Sequence, residues 1–178
     1  MAKDLVFKLV ISEAGKEAYT AILSYEAVEN IVSSYPDNKE NNDFFALAAQ
    51  HAAATVRVSV AEKDNLSADV VNVLSQDSSI EVLRRLVHSD AFKTNATQDL
   101  LERLIKLDTE VAESIADNVE SFEQADVNKL TTLLAAHSDP SVVASLAENH
   151  MLPKKVLKTL VNHPDSCVSN AAKARLKD

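Results

Sequence analysis

Three His-x-Asp triplets are the first places in this chain where residue types and spacing could do chemistry: His88-Ser-Asp90, His137-Ser-Asp139 and His163-Pro-Asp165. A carboxylate beside an imidazole can orient it as a metal ligand or as a general base. A zinc-type site, however, needs three or four convergent ligands, and no such set is visible in the sequence. Cys167 is the single cysteine. Near a helix start, with lysines close by, its thiol could be activated, but no base stands at a fixed spacing from it. Two basic groups offer a binding chemistry instead. Arg103 and Lys106 lie on one helical run, and Lys154, Lys155 and Lys158 on another. Lys155, Lys158, Arg103 and Lys106 are the candidate ligand contacts, against the plainer reading of solvated helix faces. Walker, dinucleotide-binding, HExxH and GxSxG signatures do not occur. The chain is therefore expected to be neither an enzyme nor a cofactor or metal binder.

The elements that would position these residues recur. Val56, Val82, Val111, Val142 and Val168 are spaced by 26, 29, 31 and 26 residues. Three positions before them stand Ala53, Ser79, Asp108, Asp139 and Asp165. Four of these five are good N-cap residues, whose side-chain oxygen can accept from a free N–H of the first helical turn. Four positions after the valines come Val60, Leu86, Ile115, Leu146 and Ala172. This spacing puts valine and follower on one helix face. The position just before the valine is Glu81, Glu110, Ser141 or Cys167 and is expected to face water. Ten positions after it, Leu66, Phe92 and Leu152 lead into a second helical run. In this register His137 and His163 fall near the ends of preceding helices, where an imidazole suits the dipole. Asp139 and Asp165 are already used as caps. Each unit has an apolar side on two helices, which only stacking against neighbours buries.

The run Asp139–Leu160, D-P-x-V-x-x-x-L-A-x-N-x-x-L-P-x-x-V-L-x-x-L, resembles the leucine-rich repeat variant family and, more widely, HEAT-like α-helical repeats. Pro153 fits the start of a second helix, where a missing N–H costs nothing. The resemblance is close over residues 139–176, fair over 53–79, loose over 79–139, and does not reach the first fifty residues. It implies an all-α, right-handed α-α superhelix of stacked helix pairs. It also implies a non-catalytic scaffold for an unidentified protein or peptide. Some relatives in that family carry a cysteine-ligated iron–sulfur segment; one cysteine cannot supply it.

Composition agrees with a globular chain. Its 178 residues are 46% hydrophobic and 25% charged, enough to bury roughly 70% of the unfolded surface. One cysteine and no apolar leader predict a reducing, cytoplasmic location, and no run of about 18 apolar residues suggests a membrane span. A net charge of −9 and eight aromatics argue against the remaining class, a HEAT-like nucleic-acid binder. The charge is uneven. Six Lys and Arg against two Asp between Lys154 and Asp178 give that end +4. That end could meet an acidic partner.

Residues 1–42 read as an N-terminal cap and loop, and residues 43–178 as the repeat array. Asp4, Lys8 and Ser12 at four-residue steps favour a helix over 4–11. Alternation would instead suit a strand that pairs with a second copy across a homodimer. Ser12 would cap a helix over 13–34 with Ala14, Ala18, Ala21, Tyr25, Val28 and Val32 inward. Residues 36–42 read as a loop and candidate hinge. Asp43 would cap one long helix over 44–63, because no breaker interrupts it. Further helices are expected at 68–75, 80–89, 97–107, 110–119, 123–136, 141–150, 153–162 and 166–176.

Overall fold

The computed structural model describes residues 5–177; Met1 to Asp4, with the Asp4 end of the expected first helix, and Asp178 lie outside them. The described chain is mostly helical, with one small two-stranded sheet. It divides into two compact units, Met1–Ala91 and Phe92–Asp178.

The helix expected over 4–11 is not formed, and the separate helix expected over 13–34 forms only in its second half. Strands β1 (Lys8–Glu13) and β2 (Lys16–Ile22) pair antiparallel instead, with a bulge where Ile11 faces Tyr19 and Ser12 faces Glu17. The physical reason is the turn. Ala14 (φ 48°) and Gly15 (φ 79°) both have positive φ, the two-residue geometry that matches strand twist. The chain's one glycine sits there, in the conformation glycine adopts without strain. Val10, Ile11, Tyr19 and Thr20 favour strand over helix. Helix α1 (Tyr25–Ser34) starts later, capped by the Ser24 hydroxyl, which accepts from the Ala27 N–H at 3.4 Å. Val28 and Val32 are buried as expected, whereas Ala14, Ala18 and Tyr25 are exposed.

The long helix over 44–63 is two helices, α2 (Asn42–Ala48) and α3 (Ala54–Ala61). Asp43 is not its cap: the cap position is Asn41, without a side-chain bond. Alanine-rich sequence favours helix throughout, but side-chain-to-backbone bonds win at the break. The His51 Nδ1 accepts from the Ala53 N–H, and Arg57 takes the His51 and Ala52 carbonyls. Then follow α4 (Ala68–Leu74), α5 (Ile80–Leu86), α6 (Asp90–Asn95), α7 (Gln98–Ile105), α8 (Thr109–Asp117), α9 (Val127–Ala135), α10 (Pro140–Glu148), α11 (Lys154–Leu160) and α12 (Ser166–Arg175). The unexpected α6 and a 3-10 turn at Val119–Ser121 occupy the stretch where the sequence units are longest.

Ala53, Ser79, Asp108, Asp139 and Asp165 are the N-caps of α3, α5, α8, α10 and α12. The three aspartates accept from first-turn N–H groups; Ser79 makes no such bond. All five valines and all five followers are fully buried. Glu81, Glu110, Ser141 and Cys167 are exposed. In the first unit α1, α3 and α5 pack successively, with α2 and α4 beside them. In the second, α8, α10 and α12 do the same, with α7 against α9 and α11 against α12. Each unit is thus two layers of helices around one apolar seam. None of the described helices is long and apolar enough to cross a membrane.

Candidate functional site

The histidines are best understood from the turns that precede the capped helices. Two positions before four of the five caps, a side-chain acceptor closes the turn onto the cap's own N–H. His51 does this for Ala53, His137 for Asp139 and His163 for Asp165, each through Nδ1 at 3.1 Å. Asp77 does the same for Ser79 through Oδ1 at 2.8 Å. With Nδ1 accepting, the neutral ring carries its proton on Nε2. This explains the His-x-Asp spacing as turn chemistry. His88 is exposed and differs: the Asp90 N–H in its triplet donates to the Asp64 carboxylate at 2.9 Å. Among the described residues, no three His, Cys, Asp or Glu side chains converge as a metal ion would require.

Asp139 holds its turn firmly. Its Oδ1 accepts from the Ser141 N–H at 3.0 Å and the Ser141 hydroxyl at 2.9 Å, which hold the carboxyl below the usual range. Asp77 is tied more deeply. Its carboxylate receives Arg57 Nε at 2.6 Å and Nη2 at 2.9 Å, with side chains only 9% and 7% exposed. Burial works to raise the Asp77 pKa, but the bonds from Arg57 and Ser79 and the guanidinium charge outweigh it and leave it lowered. The same bonding raises Arg57.

This pair forms the wall of an open pocket of about 590 Å³, shared with Gln50, Val73 and Gln76. Arg57 directs four donor contacts inward, two to Asp77 and two to the carbonyls of the α2–α3 break. The ion pair therefore builds the wall and leaves little charge for a ligand.

The four candidate cations lie in the second unit. Arg103 is on α7 and Lys106 closes it; Lys155 and Lys158 lie on α11. All four are exposed. They share the unit but stand on separate helices. Glu102, beside Arg103, is half-buried and accepts from the Gln98 amide at 2.8 Å. Cys167 is exposed at the second position of α12, and its N–H donates to Asp165 at 2.8 Å.

Sequence reasoning missed a second column, seven positions after the valines. Lys63 Nζ donates to the Ser33 and Tyr35 carbonyls at 2.9 and 3.2 Å, capping the end of α1. Asn149 Nδ2 reaches the Ala116 and Asp117 carbonyls at 3.1 and 3.0 Å, at the end of α8, and Glu120 at 2.9 Å. Arg175 Nη2 donates to the His150 carbonyl at 2.8 Å, just beyond α10. A helix leaves its last carbonyls without partners; here the next helix of the layer supplies them. A parallel device links turns. The Asp37 carboxylate accepts from the Asp64 N–H at 2.7 Å, and Asp64 in turn from Asp90. Its signal was present, since Asp37, Asp64 and Asp90 are spaced by 27 and 26 residues. The same bonds fasten the 36–42 stretch to the start of α4: Asn42 Oδ1 accepts from the Ser67 N–H at 2.7 Å.

No family model, curated protein or solved structure matches this chain.

Proposed function

We propose that the chain is a non-catalytic helical repeat scaffold of the leucine-rich repeat variant or HEAT-like kind. In this reading the stacked pairs wind as a right-handed superhelix, and an exposed helix layer receives a segment of another protein. One observation supports it most directly: buried valine and buried follower recur along the first helices of both units, with a carbonyl-capping side chain in each and aspartate caps on those of the second. Such a design spends its polar groups on joining one helix to the next and leaves the outer faces to vary. Lys155 and Lys158, with Lys154, Lys173, Arg175 and Lys177 around them, make the C-terminal end locally basic on an acidic chain. An acidic peptide segment is the partner chemistry that this end suits.

The test is capture from a native lysate with the full chain and with Lys155→Glu/Lys158→Glu. The expected result is a salt-sensitive partner retained by the first and lost by the second. Capture of nothing at any salt, or of the same proteins by both, overturns the reading.

A further inference from the structure

The hairpin leaves apolar side chains in water that a monomer has no reason to expose. Phe7 anchors its base, with ring contacts to Phe44 at 6.2 Å and His51 at 5.6 Å. Beyond it Leu9, Ile11 and Tyr19, which share one face through the Leu9–Ala21 and Ile11–Tyr19 pairings, are 46%, 51% and 56% exposed. A two-stranded ribbon is marginal in water without a third strand or a covering helix.

The ladder says which edge is open. The Leu23 N–H donates to the Phe7 carbonyl, so Phe7, Leu9 and Ile11 point their backbone groups at β2. Alternation then turns the N–H and C=O of Lys8, Val10 and Ser12 outward. The outer edge of β2 is different: the bulge at Ala18–Tyr19 distorts it, a common protection of sheet edges. Among the described residues β1 has no further strand beside it, and it carries no bulge or proline to protect it.

We infer that β1 pairs antiparallel with β1 of a second copy, across a two-fold axis at Val10, to make a four-stranded sheet ordered β2-β1-β1-β2. The axis follows from symmetry. Side-by-side antiparallel strands keep their faces aligned about an axis normal to the sheet, so paired residue numbers must sum to an even value. Centring on Val10 joins Val10 with Val10, and Lys8 with Ser12 twice, which uses all three outward residues of each strand. Leu9 then meets Ile11 of the other copy, and the apolar face runs unbroken across the junction. No like charges are opposed. On the opposite face Ser12 already pairs with Glu17. Lys8 of one copy therefore lies over a small serine, two strand spacings of about 4.8 Å from Glu17 of the other, within joint reach of the two long side chains. The hairpin carries Lys8, Glu13, Lys16 and Glu17 and is neutral, on a chain of net charge −9. Two copies can meet there without opposing their excess charge. The bulged outer edges close the assembly at two.

Light scattering of the full chain over a micromolar range is expected to give twice 19.3 kDa. Val10→Pro removes an N–H that points away from β2, so the hairpin survives while the edge is blocked. Its expected mass is that of one chain, with an unchanged helical circular dichroism signal. Lys8→Glu sets four carboxylates against one another and weakens association by roughly tenfold; adding Glu17→Lys restores it. A single-chain mass for the unaltered protein overturns the inference. So do an open series of larger species, a dimer that persists in Val10→Pro, and a charge swap that fails to restore association.

Discussion

Asn149 joins two helices with one amide. Its Nδ2 serves two carbonyls at the end of α8 and a carboxylate of Glu120, its Oδ1 accepts from the Met151 N–H at 2.8 Å, and it is 6% exposed. Asn149→Ala removes the amide that serves the buried Ala116 carbonyl and should cost about 1–3 kcal/mol, measured by urea denaturation. Asp77 is the second such residue. Asp77→Asn strips the Arg57 guanidinium of its counter-charge and should cost about 3 kcal/mol, near the low end for a buried pair because it borders an open pocket. The pH dependence follows from direction. The folded Asp77 pKa lies below the ordinary carboxylate value of about 3.9. Its contribution is therefore complete above that value and is lost as pH falls through the folded one. Urea midpoints taken from pH ~7 down to ~2 should fall less steeply in Asp77→Asn than in the unaltered chain. Neither residue stood out in sequence: Asn149 is one polar letter in a motif, and Arg57 and Asp77 are 20 residues apart. What joins them is tertiary.

At the scale of elements, a cap matters only where its side chain reaches an N–H. Asp165 accepts from the Cys167 and Val168 N–H groups, whereas Ser79 accepts from none in α5. Asp165→Ala should therefore cost about 1 kcal/mol and Ser79→Ala only a few tenths, both read from thermal unfolding. Ala53 caps α3 without an oxygen, so Ala53→Asp should stabilise by about 0.5–1 kcal/mol. The positions of α4, α5 and α7–α12 were legible to within a few residues, because capping and apolar period agree there. The α2–α3 break was not, since its cause is an arginine and a histidine closing a turn across an alanine-rich stretch. The hairpin was misread for a different reason. Eight apolar and polar letters fit both periods, and the deciding evidence was one Ala-Gly pair at the turn.

For the whole molecule, the apolar core among the described residues begins at Val28. The hairpin meets the helices through Phe7 at its base, against the half-buried Phe44 and His51, while Leu146 is fully buried on α10, which packs against both α8 and α12. Leu146→Ala should cost about 2–5 kcal/mol. Deleting residues 1–22 should cost less and leave the helical circular dichroism of the body in place. Calorimetry on both variants checks this, and a truncated chain that melts below Leu146→Ala would show the hairpin to be part of the core. The division into Met1–Ala91 and Phe92–Asp178 has no counterpart in composition. It depends on which helices pack together.

Periodicity and caps were enough to determine where most helices lie and which side of each is buried, because both are local properties of a short run of consecutive residues. They also determined that five valines would share one environment. Tertiary structure decided the rest: where an alanine-rich helix breaks, which polar side chains cap a neighbour's carbonyls, and that the N-terminal stretch is a ribbon with an open edge. The inter-helix bonds among them join residues 20 to 33 positions apart, and the apolar period along one helix does not encode the partner of a hydrogen bond on another.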